Sequence, residues 1–374
     1  MPKKVFLYDM TAKKLKEKIF DGTYPPGSLL PSEREIGETY NVDRTTVRKA
    51  LQVLVNESLV EKKAGKGTVV KDLNDTTIFP TKESENIPDP LPKTSIYDKE
   101  IAFFLPRNAQ NSDRIRQPFY SQLFYVIQEE CQKLGFSLIY LTLDEDDDLE
   151  KILSSRRFSG VFFVSNVSKQ HLSYAIEKKI PAVLINSFHP EMPSVLSDNF
   201  QGAYQACKEL IKKGHKKIAI IKGEENYTTN KERLRGSLSA LREFNIPIQS
   251  SYILGENSWE FDDGFKVMKN FLQTANQLPT AVFAFNDRLA LGAMQAIQQA
   301  GLNVPKDISI IGYDNSEQSK LIYPRLSSIE INVSIMGSAS VFTLLQQMNY
   351  YQSLPIKILI PIQLIERESI IEIN

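Results

Sequence analysis

The sequence predicts an α/β body of two doubly wound parallel-sheet lobes, preceded by a small N-terminal winged helix-turn-helix domain. Three observations support this. From Glu100 onward, short apolar runs alternate with amphipathic stretches of about ten to fifteen residues, as in parallel sheets covered by helices. Residues 30–71 instead contain two short helical patterns and a glycine-tipped hairpin. Between them, residues 72–98 are rich in proline and polar residues and have no apolar period.

The N-terminal prediction begins with helix-capping signals. Ser32 and Glu35 have the spacing of a capping box, in which the two side chains accept hydrogen bonds from each other's backbone N–H groups. Asp43 can cap a second helix, and residues 40–42 fit a tight turn between the two helices. Apolar residues of the second helix form one stripe: Val47, Leu51, Leu54 and Val55.

The opposite face of the second helix presents guanidinium and hydroxyl groups at its N-terminal end, from Arg44, Thr45 and Arg48. Guanidinium forks suit guanine edges and phosphate oxygens, and a recognition helix meets bases with its first turns. A hairpin is predicted next, over residues 59–63 and 68–71. Its tip, Gly65-Lys66-Gly67, lets the backbone approach a phosphate or the minor groove. Together these features predict a DNA-binding domain.

Over residues 5–71 the pattern resembles the DNA-binding head of the GntR family. The resemblance implies DNA contacts for seven residues: Arg34, Arg44, Thr45, Thr46, Arg48, Lys66 and Gly67. The charge distribution agrees with this. The whole chain has 45 basic and 45 acidic residues, whereas residues 1–72 contain 14 Lys and Arg against 10 Asp and Glu. A basic head and an acidic body fit a protein whose head is attracted to polyphosphate.

The domain organisation follows from these patterns. Residues 1–71 are the predicted DNA-binding domain, residues 72–98 a linker and residues 99–374 the body. Seven apolar runs in the body are candidate strands: 101–105, 137–141, 160–164, 182–185, 217–221, 281–285 and 308–312. Enough strands lie on either side of residue 198 to close two lobes. The predicted lobes are about 99–198 with 331–352, and about 199–330 with 353–374.

Composition excludes several classes of protein. With 42% hydrophobic residues and no apolar run near 18 residues, the chain has no predicted membrane span, and we expect a soluble cytoplasmic protein. Cys131 and Cys207 lie in amphipathic helical patterns, which favours small core residues over a disulfide. The three histidines are too scattered for a metal site. No catalytic elbow or P-loop motif is present, so we expect neither an enzyme nor a cofactor.

Several motifs of the body form a recognisable series: 117–120, Asp198 with Gly202, 214–218, 233–236, 286–292, 305–314, 324–329 and 367–369. In this order they resemble the effector-binding body of the LacI family, itself similar to periplasmic sugar-binding proteins, over residues 99–372. A GntR-like head on a LacI-like body resembles the arabinose-repressor type of sugar regulator. The hinge-helix segment that accompanies LacI-type heads is missing, so that family's minor-groove hinge mechanism is not carried over.

Ligand contacts are expected where strands end at the crevice between the lobes. The resemblance and the chemistry together select seven residues: Phe119, Tyr120, Asp198, Arg233, Trp259, Asn286 and Asp314. Arginine, asparagine and aspartate can match hydroxyl groups, and aromatic planes can stack on a sugar or a purine. Structural roles are open for five of them. Asn286 and Asp314 could cap turns, Arg233 could form a surface salt bridge, Trp259 could be core, and Asp198 could hold an arginine.

These features predict a transcriptional repressor. A homodimer formed through the body would place two heads on double-stranded palindromic operator DNA, and a pentose or hexose in the cleft would release them. One alternative is a regulator that a purine or sugar phosphate activates as corepressor. Another is a sugar-binding module without a DNA function, although three guanidiniums on one surface argue against an idle head. No membrane partner is expected.

Overall fold

The computed structural model describes residues 7–20, 23–25, 27–56, 59–63, 67–70, 99–107, 113–255, 258–349 and 355–373. Contacts divide the chain into two compact units, which we call the head and the body. The predicted linker, residues 72–98, lies outside the described residues, and so does Lys66 of the predicted hairpin tip.

The head consists of three helices and a two-stranded hairpin: α1 (Leu7–Phe20), α2 (Glu33–Tyr40), α3 (Arg44–Asn56), β1 (Val60–Lys63) and β2 (Gly67–Val70). The predicted capping box is confirmed, because Ser32 and Glu35 bond reciprocally at the start of α2. Asn41, with a φ of 51°, ends α2 in the left-handed region. Asp43 caps α3 by accepting the backbone N–H groups of Thr45 and Thr46.

The head has its own apolar core. Leu15 of α1, Ile36 of α2 and Val60 of β1 are buried in it with the predicted stripe of α3, from which Val55 is only half-buried. Residues 27–30 lie beside β2 and make three backbone hydrogen bonds with it. Because the core holds the apolar side of α3, its arginines must lie on the opposite, solvent-facing side.

The described part of the body alternates strands and helices. The helices are α4 (Pro118–Lys133), α5 (Leu149–Ser155), α6 (Lys169–Glu177), α7 (Asn199–Lys212), α8 (Thr228–Glu243), α9 (Phe261–Thr274), α10 (Asp287–Gln299), α11 (Glu317–Leu321) and α12 (Val333–Asn349). The strands are β3 (Glu100–Leu105), β4 (Ser137–Thr142), β5 (Gly160–Val164), β6 (Ala182–Ile185), β7 (Ser194–Ser197), β8 (Ile218–Ile221), β9 (Ile253–Leu254), β10 (Ala281–Ala284), β11 (Ser309–Asp314), β12 (Ser327–Ile331), β13 (Lys357–Ile360) and β14 (Ile362–Ile365). None of the helices in the described ranges is long and apolar enough to cross a membrane.

Two six-stranded sheets form the two lobes. The first lobe contains the sheet β13-β7-β6-β5-β3-β4, in which all neighbours are parallel. The second lobe contains β14-β12-β11-β10-β8-β9, parallel except for the edge strand β14, which runs antiparallel to β12. The fold class predicted from the alternating apolar runs is confirmed. Cys131 and Cys207 are free, buried core residues, and burial raises the pKa of both thiols to about 12.

Five strands of the described body were not predicted: β7, β9, β12, β13 and β14. In β7 and β12, the buried residues Ser194, Ser197 and Ser327 interrupt the apolar runs. The Ser194 hydroxyl donates to the Met192 carbonyl at 2.9 Å, which satisfies it inside the sheet. The boundary of the lobes also differs. Strand β13 pairs with β7 in the first lobe, whereas we expected the chain to return to the second lobe near residue 353.

Helices α9 and α10 pack closely in the second lobe through two glycines. A Cβ added at Gly264 would collide with the Leu289 carbonyl, and one added at Gly292 would collide with the Phe261 carbonyl. These obstacles are backbone atoms, which cannot move aside without separating the helices.

We expect Gly292→Ala to lower the free energy of unfolding of the body by about 1 to 3 kcal/mol, because the added methyl group overpacks the α9–α10 contact. Urea unfolding of the full chain measures this change. Gln295→Ala, at an exposed position of the same helix, is the matched control and should leave stability nearly unchanged. Equal stability of the two variants would contradict the packing argument.

Candidate functional site

Three of the predicted DNA contacts, Arg34, Arg44 and Arg48, lie on one surface of the head. Arg34 lies on α2, whereas Arg44, Thr45, Thr46 and Arg48 lie on the first turns of α3. The three arginine side chains are 84%, 74% and 58% exposed, in sequence order, so their guanidinium groups are accessible to a polyanion. They line one shallow depression of the head.

Hydrogen bonds at the cap of α3 orient the two threonines. The Asp43 carboxylate accepts the N–H groups of Thr45 and Thr46 at 2.8 and 2.9 Å, and the hydroxyl of Thr46 at 2.8 Å. These bonds, chiefly those from Thr46, hold the pKa of Asp43 below its usual value. Because its hydrogen is donated to Asp43, the Thr46 hydroxyl can meet DNA only as an acceptor. Gly67, with a φ of 106°, begins β2 at the wing.

A cavity of about 400 Å³ lies between the two lobes of the body. Its size is that of a typical small-molecule site. Six of the seven residues predicted to contact an effector line it: Phe119, Tyr120, Arg233, Trp259, Asn286 and Asp314. The carboxyl ends of the parallel strands supply much of the lining, as expected for open α/β sheets.

Arg233 of α8 is buried at 4% exposure on the floor of this cleft. Its Nε donates to Asn199 Oδ1 at 2.8 Å, and its Nη1 donates to the Phe285 carbonyl. The guanidinium lies 3.5 Å from the centroid of the Tyr313 ring. Nη2 is 3.8 Å from Asp314 Oδ1 and is the part of the group left for a ligand. Arg233 therefore supports the second lobe as well as lining the cleft, and it is not a surface salt bridge.

Asp314 is the last residue of β11, whereas Asn286 lies two positions beyond β10, and both line the cleft. Burial raises the pKa of Asp314 to about 7, although nearby Arg233 favours the charged form. Its φ of 103° is unusual for a residue with a side chain and marks local backbone strain. Asn286 accepts the Leu289 N–H at 2.8 Å and donates to the Trp259 carbonyl at 3.0 Å, so it caps α10 while lining the cleft.

Trp259 lines the cleft and at the same time packs, half-buried, against the apolar core of the body. Its ring packs over Gly223, where a Cβ would collide with the indole, and meets Tyr227 edge-on at 5.7 Å between centroids. Phe119 and Tyr120 approach from the first lobe at the start of α4. Aromatic surfaces from both lobes therefore flank the polar floor.

Asp198 is the predicted residue that the main cleft does not include. Its carboxylate accepts the Gln201 N–H at 3.1 Å and caps α7. It lines a separate, smaller crevice with Thr228 and Glu232. Asp198 therefore caps the start of α7 and does not line the cavity between the lobes.

Sequence reasoning missed the polar contacts that connect the two lobes, one of which is a charged pair. Arg114 of the first lobe, 5% exposed, lies over the Tyr227 ring at 5.2 Å and 3.9 Å from Glu224, both in the second lobe. Gln117 donates to Glu260 across the cleft at 3.2 Å. Arg114 lies nine positions beyond the end of β3 at Leu105, so its distance from the strand left no local pattern that could have located it.

Acidic groups at the edge of the cleft are held by protein partners. Arg288 binds Glu260 through both Nη atoms. Asp287, only 1% exposed, accepts hydrogen bonds from Ser316 N–H at 2.7 Å and from the Ser328 hydroxyl at 2.6 Å. Burial raises its pKa to about 6. Among the described residues, no cluster of His, Cys, Asp and Glu could hold a metal ion.

Family models match both units of the chain. The model of bacterial regulatory proteins of the gntR family matches residues 7–70, and the periplasmic binding protein-like domain matches residues 207–370. The HTH-type transcriptional repressor PurR of Actinobacillus pleuropneumoniae is 34% identical over 237 residues, which cover 62% of this chain and 70% of that protein. The HTH-type transcriptional regulator DegA of Bacillus subtilis is 31% identical over 270 residues, 70% of this chain and 79% of that protein.

Solved structures agree with the architecture of the body. A LacI family transcriptional regulator from Enterococcus faecium with bound ribose superposes with a TM-score of 0.64 at 26% identity, covering 74% of this chain and 100% of that one.

We expect Arg233→Ala to destabilise the body, because it leaves Asn199 Oδ1 and the Phe285 carbonyl without their donors. Each buried acceptor left unsatisfied costs about 1 to 3 kcal/mol. Arg235→Ala is the matched control, since that arginine lies on the same helix and its side chain is 68% exposed. Thermal unfolding compares the two, and equal stability would contradict the structural role of Arg233.

Proposed function

The chain belongs to the LacI-type transcriptional regulators by its body and to the GntR family by its head, and from this premise we propose that a sugar controls its binding to operator DNA. The effector binds the cleft between the lobes and releases the repressor. The observation that carries the proposal is the convergence of Arg233, Asp314 and Trp259 in one cavity of about 400 Å³.

The lining of the cleft supports a ligand with several hydroxyl groups. Arg233 offers donors, Asp314 offers acceptors and Asn286 can do both, whereas hydroxyl groups both donate and accept. The Trp259 ring provides an apolar plane of the kind that packs on the C–H face of a sugar ring. The bound ribose of the related Enterococcus faecium regulator supports the same ligand class. We propose a pentose or hexose.

The DNA side of the proposal rests on the head surface. Arg34, Arg44 and Arg48 contact phosphates and base edges, Thr45 and Thr46 add hydroxyl contacts, and the wing with Gly67 and Lys66 approaches the neighbouring groove. We propose that the body forms a homodimer, which places two heads on a palindromic operator. Closure of the cleft changes the relation of the two bodies, and the linkers transmit the change to the heads.

Trp259 provides the experiment, because it is the only tryptophan in the chain. The protein is titrated separately with ribose, arabinose, glucose, ribose 5-phosphate and hypoxanthine. The compound that binds the cleft should change the fluorescence of Trp259. The responding ligand should then weaken operator binding about 5- to 150-fold in a gel-shift assay, which corresponds to a coupling free energy of about 1 to 3 kcal/mol.

The possible outcomes separate the alternatives. If only hypoxanthine or ribose 5-phosphate changes the fluorescence and operator binding becomes tighter, the effector is a corepressor and not a sugar inducer. A sugar response with no operator binding at any concentration would leave a sugar-binding module. Unchanged operator affinity at saturating sugar would contradict induction.

We expect sugar affinity to depend on pH through Asp314, whose pKa burial raises to about 7. The free protein therefore holds a proton on Asp314 below pH 7. A carboxylate accepting hydroxyl hydrogen bonds favours the ionised form, so binding releases this proton and affinity falls as pH is lowered. Because one proton is released, the sugar affinity can fall by at most about tenfold for each pH unit. Calorimetric titrations from pH 5 to 8 measure the dependence.

Asp314→Asn is the control for this assignment, because its amide does not titrate. The variant should bind more weakly at pH 8 and lose most of the pH dependence. If the full dependence persists in Asp314→Asn, another group such as Asp287 is responsible.

A further inference from the structure

One carboxylate in the head joins both arginines of the recognition helix. Glu33, the first residue of α2, accepts from Nε of Arg44 at 2.9 Å and from Nε of Arg48 at 3.0 Å, all at the same oxygen. Its second oxygen lies 3.2 Å from the Arg48 Nε. Because Arg44 and Arg48 are four positions apart, they lie one above the other on α3, and Glu33 reaches both from the neighbouring helix.

The bonds use only one edge of each guanidinium. They are made by Nε, so Glu33 does not occupy the outer edge formed by Nη1 and Nη2. Glu33 is 28% exposed beneath arginines that are 74% and 58% exposed. The outer edge is the planar two-donor fork that matches O6 and N7 of guanine.

The carboxylate also lowers the positive charge of the surface. Hydrogen bonds from Arg44, and then from Arg48, hold the pKa of Glu33 below its usual value, so it is ionised at neutral pH. Two arginines and one glutamate leave a single net positive charge. Attraction to phosphate depends on that charge and is independent of sequence, whereas base recognition depends on orientation.

We propose that Glu33 is a positioning residue for DNA recognition, which orients Arg44 and Arg48 together and lets the head discriminate between base sequences. Held in place, the two forks lose less side-chain entropy when they meet base edges. The partly neutralised surface at the same time gains less from random DNA. This inference rests on the proposed DNA contacts of Arg44 and Arg48.

The test compares charge with geometry in the full-length protein. Glu33→Gln removes the charge, and Glu33→Asp keeps the charge but withdraws the carboxylate by one methylene. Glu38→Gln is the matched control on α2, since Glu38 is 68% exposed and lies 3.9 Å from Arg34. An operator is first selected from a pool of random duplexes with the wild-type protein. Dissociation constants for this operator and for a random duplex are then measured at several salt concentrations.

Glu33→Gln should bind random duplex more tightly, with a salt dependence steeper by about one unit of slope. Its discrimination, the ratio of the random to the operator dissociation constant, should fall about tenfold, within the range of one well-placed bidentate contact. Glu33→Asp should lose similar discrimination while keeping the wild-type salt slope. Glu38→Gln should steepen the salt slope and keep the discrimination.

Four outcomes would overturn the proposal. Equal discrimination in Glu33→Gln and Glu38→Gln would reduce Glu33 to a surface charge. A loss confined to one base pair, measured on operator duplexes with single base-pair changes, would mean that Glu33 itself contacts a base. An equal loss on operator and random duplex would make Glu33 a residue needed only for folding. A wild-type protein that enriches no sequence would overturn the proposed DNA function and, with it, this inference.

Discussion

The buried guanidinium of Arg233 connects the parts of the second lobe that form the cleft. Its donors reach Asn199 at the start of α7 and the Phe285 carbonyl after β10, and its Nη2 faces Asp314 at the end of β11. A charge buried to 4% exposure persists only when its donors are paired. The bonds that pair it also fix a helix start and two strand ends around one point. Stability of the lobe and shape of the cleft therefore depend on the same interaction.

The floor beneath Arg233 depends on a small residue and a strained one. The Tyr313 ring occupies the space that a Cβ at Gly202 of α7 would need, so glycine lets the ring lie under the guanidinium. The next residue, Asp314, has a φ of 103°, a conformation that costs about 1 to 3 kcal/mol for a residue with a side chain. Packing and the Arg233 charge hold this conformation, which keeps the carboxylate beside the guanidinium.

The sequence predicted those features that local patterns encode. Apolar runs located seven strands, capping signals at Ser32 and Asp43 located the helices of the head, and six ligand candidates lie in one cleft. Features that depend on distant partners were missed. Ser328 of β12 is a polar residue, yet it is buried in the lobe, where its hydroxyl donates to Asp287 at 2.6 Å. The bond between Glu33 and Arg48 joins two helices, and no periodicity within one helix predicts it.

The contacts between the lobes bear on how an effector could act. Gln117 with Glu260, and Arg114 with Glu224, connect the lobes directly. An effector shifts an equilibrium between open and closed lobes only by the difference between its affinities for the two states. Residues of the second lobe, such as Arg233, line the cleft whether or not Phe119 of the first lobe is near. In the proposed mechanism, opening removes the aromatic contacts from the first lobe, so these contacts, more than the Arg233 floor, supply that difference in affinity.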